Sequence, residues 1–201
     1  MSLARVIPPA RLIFVRHGET EWNREGRLQG QQDIPLNALG REQAARSGRK
    51  LAKILGANRE APEYVASPLG RTRETMRIVR QTLGLDPDAY RVDPVLKELS
   101  FGNWEGLTWP EVEALSPELA RRRIADKWGF VPPEGESYGL LALRIAPWLQ
   151  SLQADTVLVS HGGVARVMMA LVGGLPVERA PQMDIWQDRP LIFADGRFDW
   201  V

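Results

Sequence analysis

The chain has 201 residues, of which 44% are apolar and 25% charged, and its formal net charge is +1. This composition is typical of a folded globular domain, and the balanced charge argues against a nucleic-acid partner or a polybasic membrane anchor. Because the sequence has no Cys, it excludes disulfides, iron–sulfur clusters, thiolate zinc sites and cysteine nucleophiles. No apolar run approaches the ~20 residues of a membrane span, and the start does not resemble a secretory signal, so we expect a cytoplasmic protein with no membrane partner.

Segments with strand and helix patterns alternate along the chain. The pattern predicts strands over residues 11–15, 64–66, 91–93 and 156–160, and a terminal hairpin of 191–193 and 197–200 around Ala194-Asp195-Gly196. It predicts helices over 37–55, 67–83, 110–115, 117–127, 137–152 and 163–172. In the second of these, Ser67 and Pro68 are the expected N-cap and first helical residue.

This alternation predicts one α/β domain over residues 1–201, with three α/β/α layers. We expect a mainly parallel central sheet with an antiparallel hairpin at one edge. Residues 98–136 carry three Trp and several Pro and Gly, and they are the irregular part of the chain. We expect them to form a small irregular and helical subdomain, a lid over the site.

The two His of the chain occupy matching places, because each follows an apolar strand and precedes a glycine. His17 ends the run Leu12–Arg16, and His161 ends the run 157–160. Ligands of parallel sheets bind at the carboxyl ends of strands, so both imidazoles can converge on one pocket. A lone His in such a place is more often a strand-end residue that bonds a backbone carbonyl, but two His in the same context favour a shared pocket.

The residues around the two His favour an anion rather than a metal ion. His17, Glu19 and His161 could be combined as metal ligands, but no helical His-x-x-x-His pair is present and Arg16 would repel a cation. Arg16, Arg71 and the glycine-led helix that begins at Gly162 instead suit phosphate oxygens. We therefore predict a phosphate pocket with no metal site and no cofactor.

The run Arg16-His17-Gly18-Glu19-Thr20 resembles the signature of the histidine phosphatase superfamily, which includes the cofactor-dependent phosphoglycerate mutases. The resemblance continues in order over nearly the whole chain and weakens only from about Pro181. The other matching blocks are Asn23, Leu28-Gln29-Gly30, Pro35-Leu36, Leu39 to Ala44, Ser67 to Thr75, Glu98 to Gly106, Gly135 to Ser137 and Ser160 to Gly163.

This resemblance implies a role for each of the matching residues. His17 would be the nucleophile that forms a phosphohistidine, and a backbone acceptor should hold its other ring nitrogen. Arg16, Arg71 and His161 would clamp the phosphoryl oxygens. Glu98 would protonate the leaving alkoxide and then activate water. The neutral or backbone groups of the phosphate-binding set would be Asn23, Gln29, Gly30 and Gly162.

The sequence leaves two assignments open, namely the identity of the proton donor and the role of the run 121–123. Glu105 lies close to Glu98 in sequence and could take the proton-donor role. The run Arg121-Arg122-Arg123 could bind a substrate carboxylate, but such a run on a short helix is more often a solvated face. Glu19 and Thr20 are expected to shape the loop rather than to catalyse.

Three functions fit such a pocket: a phosphatase, a mutase, and a non-catalytic protein that binds phosphate esters and regulates. The mutases of this family carry a longer insertion after the catalytic Glu, with an Arg and a Tyr directly behind it. Here Leu99-Ser100-Phe101 follows Glu98, which is similar to the broad-specificity phosphatase branch. The resemblance thus implies a metal-independent phosphatase of small phosphate monoesters, with the substrate and the oligomeric state left open.

Overall fold

The computed structural model describes residues 4–201, which form a six-stranded mixed sheet in the order β3-β2-β4-β1-β5-β6. The four strands β1 to β4 are parallel, and β5 and β6 are an antiparallel hairpin at the edge beside β1. The strands are β1 (Leu12–Arg16), β2 (Glu63–Ala66), β3 (Arg91–Val92), β4 (Thr156–Ser160), β5 (Leu191–Ala194) and β6 (Arg197–Trp200).

Helices cover both faces of this sheet. They are α1 (Glu21–Arg24), α2 (Ala38–Leu55), α3 (Gly70–Thr82), α4 (Trp109–Leu115), α5 (Pro117–Ala125), α6 (Tyr138–Gln150) and α7 (Gly162–Leu171). Short 3-10 turns lie at Gly56–Asn58, Pro94–Leu96, Gly102–Trp104 and Ala180–Gln182. Among residues 4–201, no helix combines the length and the apolar character that crossing a membrane requires.

The side chains of β1 alternate between two cores, which is what a strand with both faces covered requires. Leu12 and Phe14 pack into a core with α6 and α7, whereas Ile13 and Val15 pack into a second core with α2 and α3. These layers confirm the predicted three-layer α/β/α class with its edge hairpin. The hairpin turn places Asp195 and Gly196 at positive φ, the geometry of a tight two-residue turn.

The predicted start of α3 is wrong. Ser67 and Pro68 precede the helix, which begins at Gly70 with Leu69 as its N-cap residue. The cause is a competition for the Ser67 hydroxyl, which lies 2.7 Å from Nε2 of His161 and caps no helix. The carboxylate of Asp33 takes over the cap instead, because both of its oxygens accept from the Gly70 N–H, at 2.8 and 2.9 Å.

Residues 98–136 contain one 3-10 turn and the helices α4 and α5, close to the predicted 110–115 and 117–127. Aromatic rings give this segment its core: Trp104 stacks on Phe130 with centroids 5.4 Å apart and meets Trp109 edge-on at 6.1 Å. Trp128 stacks on Tyr138 of α6 at 5.9 Å. The last of these stacks attaches the segment to the start of α6.

Candidate active site

Three neighbouring parallel strands end at the same edge of the sheet, and each is followed by a polar residue of the site. In the order β2, β4, β1 these residues are Ser67, His161 and His17. Backbone hydrogen bonds extend the ladder past the strand ends, from the His17 N–H to the Ser160 carbonyl and from the Ser67 N–H to the Val159 carbonyl, both 3.0 Å. The register of the sheet thus places the three side chains side by side.

A cavity of about 150 Å³ opens at this edge. Most of the predicted site residues line it: Arg16, His17, Asn23, Gln29, Gly30, Arg71, Glu98 and Gly162. His161 lies directly behind the cavity, with its ring centroid 5.2 Å from that of His17. The structure therefore brings all of the predicted site residues into one cluster.

The ring of His17 is buried and held in one tautomer. Its Nδ1 lies 2.8 Å from the Gly18 carbonyl, and because a carbonyl only accepts, Nδ1 must carry the proton. The lone pair then resides on Nε2, the nitrogen that can attack. Burial, followed by the charges of Arg71 and Arg16, lowers the pKa of His17 well below its ordinary 6.5, so the imidazole stays neutral.

His161 is fully buried, and its Nε2 lies 2.7 Å from the hydroxyl of the equally buried Ser67. Burial, followed by the charge of Arg71, lowers the pKa of His161 well below 6.5 as well. Its Nδ1 has no hydrogen-bond partner among the described residues. A buried ring nitrogen without a partner normally indicates a ligand or water position.

Arg16 and Arg71 supply the positive charge of the cavity. Backbone carbonyls hold their guanidinium groups: Ile185 accepts from Arg16 at 2.8 Å, and Gln32 and Gly30 accept from Arg71 at 2.6 and 2.7 Å. The Nε atom of each is buried and without a hydrogen-bond partner among residues 4–201. Burial lowers the pKa of both arginines to about 10, so both remain charged at neutral pH.

Glu98 lies on the cavity wall at the start of α7. Its carboxylate oxygens accept from the backbone N–H groups of Leu99, at 2.9 Å, and Gly163, at 3.0 Å. The second contact requires a glycine, because a Cβ on Gly163 would stand 2.3 Å from Oε1 of Glu98. Two backbone amides therefore fix this carboxyl group beside the cavity.

Glu105 serves a different purpose, since its carboxylate organises the loop that carries Gln29 and Gly30. Its Oε1 accepts from the N–H groups of Gln31 and Phe101 and from the Ser100 hydroxyl, at 2.9 to 3.1 Å. Its Oε2 accepts from the Gln32 amide at 3.0 Å. Glu105 can come this close to the loop because residue 30 is a glycine. Its φ is +53°, and a Cβ added to it would stand 2.0 Å from Oε1 of Glu105. Glu105 does not line the catalytic cavity.

Neutral groups complete the cavity. Gln29 is buried; its side-chain oxygen accepts from the Thr20 hydroxyl at 2.5 Å, and its Nε2 has no partner among the described residues. Asn23 lies on α1, where its side-chain oxygen accepts from the Thr20 N–H and from Gln187. The Gly30 carbonyl accepts a hydrogen bond from Arg71, and Gly30 therefore helps to position the guanidinium group of Arg71.

The three arginines 121–123 separate in the structure. Arg121 and Arg122 are exposed, as a solvated face requires, but Arg123 turns inward and its guanidinium lies 4.8 Å from the ring of Trp109. The interpretation of the run as one solvated face is therefore wrong for Arg123. A helix of nine residues repeats too few times for its sequence alone to fix which side faces inward.

The structure adds cavity residues that the sequence argument did not single out. Tyr138, at the first turn of α6, and Arg166, on α7, both line the cavity. Arg166 is four residues after Gly162, so the helical repeat was a signal that both share one face. Ser67, the partner of His161, could have been found from its place after a strand that neighbours β4.

Comparison with known proteins gives a consistent match. The sequence model of the histidine phosphatase superfamily (branch 1) matches residues 12–190. The chain is 36% identical to a glucosyl-3-phosphoglycerate phosphatase of Mycolicibacterium vanbaalenii over 203 aligned residues, which cover 95% of this chain and 82% of that protein. It is 38% identical to the Escherichia fergusonii protein named "Probable phosphoglycerate mutase GpmB", over 82% of this chain and 75% of that one.

Solved structures show the same architecture. A mycobacterial glucosyl-3-phosphoglycerate phosphatase in complex with VO3 superposes with a TM-score of 0.78 at 30% identity, covering 95% of this chain and 96% of that one. The α-ribazole phosphatase of Shigella flexneri also superposes with a TM-score of 0.78, at 25% identity, covering 95% and 94% of the two chains.

Proposed function

The chain belongs to the histidine phosphatase superfamily (branch 1), and we propose that it is a phosphatase that hydrolyses small phosphate monoesters through a phosphohistidine intermediate. The observation that carries this proposal is the state of His17. Its Nδ1–H donates to the Gly18 carbonyl, which leaves a neutral ring with a free lone pair on Nε2. Beside it, Arg16 and Arg71 each keep an unpartnered Nε donor for phosphoryl oxygens. Relatives named as phosphatases support the same reaction.

In the first step, Nε2 of His17 attacks the phosphorus and forms the N–P bond. The ester P–O bond breaks, and its electron pair stays with the leaving oxygen, which takes the proton of Glu98. Arg16 and Arg71 stabilise the negative charge on the phosphoryl oxygens. His161 adds a donor from Nδ1 when the Ser67 hydroxyl donates to its Nε2.

In the second step, water attacks the phosphorus of the phosphohistidine on the side that the alcohol has left. The Glu98 carboxylate takes a proton from this water, the N–P bond breaks, and its electron pair returns to Nε2 of His17. Inorganic phosphate and the starting enzyme are the products. One carboxyl group therefore serves both half-reactions, as acid and then as base.

The charges of the two arginines lie where a kinase would use a metal ion, and we therefore expect turnover without a divalent metal. The proposal also covers a single catalytic domain over residues 1–201, of which 1–3 lie outside the described residues, with 98–136 as the lid. The cytoplasmic location, the absence of nucleic-acid partners and the absence of a cofactor stay predictions of the same kind.

A mutase is the less supported alternative. A mutase must hold the alcohol so that the phosphoryl group returns to it, which the longer insertion with its Arg and Tyr would do. Here the residue two after Glu98 is Ser100, whose hydroxyl donates to Glu105 at 3.1 Å and accepts from the Gly102 N–H at 3.0 Å. This side chain stabilises its own loop instead of offering a substrate contact.

The test is phosphate release over a panel of monoesters, with isomerisation of 3-phosphoglycerate measured in parallel. A phosphatase releases phosphate from several esters faster than it isomerises the phosphoglycerate. Brief mixing with ³²P-labelled substrate followed by alkaline quench should trap an acid-labile label on the protein, and His17→Ala should carry none. Isomerisation that outpaces release would assign a mutase, and an unlabelled, inactive parent protein would leave only binding.

A further inference from the structure

The catalytic cavity, at about 150 Å³, is below the ~300–1,000 Å³ that is usual for a pocket holding a whole small ligand. It can hold the phosphoryl group, so the alcohol part of the substrate has to lie outside it. A second pocket, of about 580 Å³, adjoins it: Leu28 lines both, and Tyr138 of the cavity stacks on Trp128 of the second pocket. We call this second pocket the outer pocket.

Three cationic side chains lie near the boundary between the catalytic cavity and the outer pocket. Arg123 and Lys127 line the outer pocket, and Arg166 lines the cavity. Arg123 lies over the rings of Trp109, at 4.8 Å, and Phe101, at 5.9 Å. Burial, followed by the charges of Arg123 and Arg166, lowers the pKa of Lys127 to about 8, and burial, with a smaller effect of Arg166, lowers the pKa of Arg123.

We call Arg123, Lys127 and Arg166 the cation cluster. In residues 4–201, none of the three forms an ion pair with an acidic side chain. Asp126 and Glu178 also line the outer pocket, but neither carboxylate lies within ion-pair distance of the cluster, and one oxygen of Asp126 accepts from the Gly129 N–H at 2.8 Å. Like charges that are partly removed from water and left unpaired are costly, and a bound anion would relieve that cost.

Resting on the proposed function, we propose that the outer pocket binds the alcohol part of the substrate and selects an alcohol that carries a second anionic group, a carboxylate or a phosphate. Arg123 and Lys127 bind this second anion, Arg166 lies between it and the phosphoryl site, and Trp109 and Trp128 provide apolar walls for the carbon skeleton. The preferred substrate is thus a phosphate monoester with a second negative charge.

The experiment compares pairs of esters that differ in the second anion alone or nearly so. One pair is 3-phosphoglycerate and glycerol 1-phosphate, and the other is the bisphosphate and the monophosphate of propane-1,3-diol. The measured quantity is the ratio of kcat/KM for the anionic ester to that for its neutral partner. We expect this ratio to be about 10 or more for at least one pair, which is the worth of one hydrogen bond to a charged group. The pair that discriminates identifies the anion as a carboxylate or a phosphate.

Variants then assign the preference to the outer pocket. Lys127→Met and Arg123→Gln should each lower the ratio by about 10-fold. Lys127→Arg keeps the charge and should keep most of the preference, which separates a lost charge from a misfolded pocket. Arg121→Gln is the matched control, because it removes an exposed cation from the same helix and should not change the ratio.

Three results would overturn this proposal. The first is a ratio near 1 for both pairs in the parent protein, and the second is an unchanged ratio in Lys127→Met and Arg123→Gln. The third is an equal fall in Arg121→Gln, which would mean that the charge of the whole surface matters instead of the outer pocket. If the wider panel of monoesters released phosphate but neither pair did, this proposal would fail and the proposed function would stand. If no monoester released phosphate, the proposed function itself would fail, so the two failures are distinguishable.

Discussion

Glu98 and Glu105 are seven residues apart, and exchanging each for Gln should produce different main defects. The exchange of Glu98 should slow proton transfer, and the exchange of Glu105 should lower stability. Glu98→Gln removes the group that gives a proton to the leaving alkoxide. Removal of a general acid costs about 10²- to 10⁴-fold, so transfer from an alkyl phosphate should slow by that factor. Transfer from p-nitrophenyl phosphate should suffer much less, because its acidic phenol leaves without needing a proton.

Glu105→Gln should instead lower stability. The Glu105 carboxylate accepts from four donors, namely two backbone N–H groups, a hydroxyl and an amide, at 2.9 to 3.1 Å. A Gln side chain has one accepting oxygen and turns an NH₂ group toward at least one of these donors. With hydrogen bonds to a charged group worth about 1.5–3 kcal/mol each, we expect a loss of about 2–3 kcal/mol in the free energy of unfolding, since the site is partly open to water.

Stopped-flow release of p-nitrophenol separates these effects, because steady-state rates would hide the first step if Glu98 also activates water in the second. Glu98→Gln should keep a burst and then turn over slowly. Its NH₂ group would face the N–H of Leu99 or Gly163, so it should also lose some stability in urea, but less than Glu105→Gln, whose carboxylate has four donors. Glu105→Gln should unfold at lower urea while keeping the parent ratio of alkyl to p-nitrophenyl phosphate rates. A change in that ratio in Glu105→Gln, with Glu98→Gln unaffected, would refute these assignments and move proton transfer to Glu105.

Three further predictions follow from the same site. His17→Ala should lose several powers of ten in turnover yet stay folded and bind vanadate more weakly, measured by activity and by vanadate titration; substantial residual activity would remove His17 from the nucleophile role. EDTA should leave turnover unchanged because Arg16 and Arg71 provide the positive charge, and activity that vanished with EDTA and returned with Mg²⁺ would contradict this. The lowered pKa values of His17 and His161 mean that the unfolded chain binds protons below pH 6.5 that the folded protein does not, so the free energy of unfolding should fall as pH falls through 6.5. These are the only two His of the chain. Between pH 5 and 6.5, the slope of the unfolding free energy against pH, measured by urea unfolding, should correspond to an uptake of up to two protons on unfolding. The double variant His17→Asn/His161→Asn should lack this slope.

The inner site could be predicted from the sequence because its groups follow strands of one sheet. Strand ends in a parallel sheet meet at one edge, so His17 and His161 had to approach each other once β1 and β4 were recognised. The exception was Ser67. Its local sequence favoured an N-cap, whereas the partner that determines its role, His161, is 94 residues away and invisible to a local rule.

The outer pocket could not be predicted in the same way. Its walls come from Leu28, the start of α4, the end of α5 with the loop after it, and the segment 178–182, and no shared strand register relates these elements. The inward turn of Arg123 depends on how α5 packs against the aromatic rings of Trp109 and Phe101. The role of Glu105 likewise depends on a loop more than 70 residues earlier in the chain.

The electrostatics of the inner site explain why its two arginines and its neutral nucleophile belong together. Arg16 and Arg71, with pKa values of about 10, remain charged at neutral pH, and their charges help keep His17 unprotonated. Glu98 offsets part of the positive charge of Arg16 and Arg71, and a dianionic ligand can offset more of it than a monoanion can. A phosphate monoester is such a dianion, whereas a diester carries one negative charge and a second alcohol arm that a cavity of about 150 Å³ has little room for. Charge and volume therefore act in the same direction, and both favour the monoester as the substrate of His17.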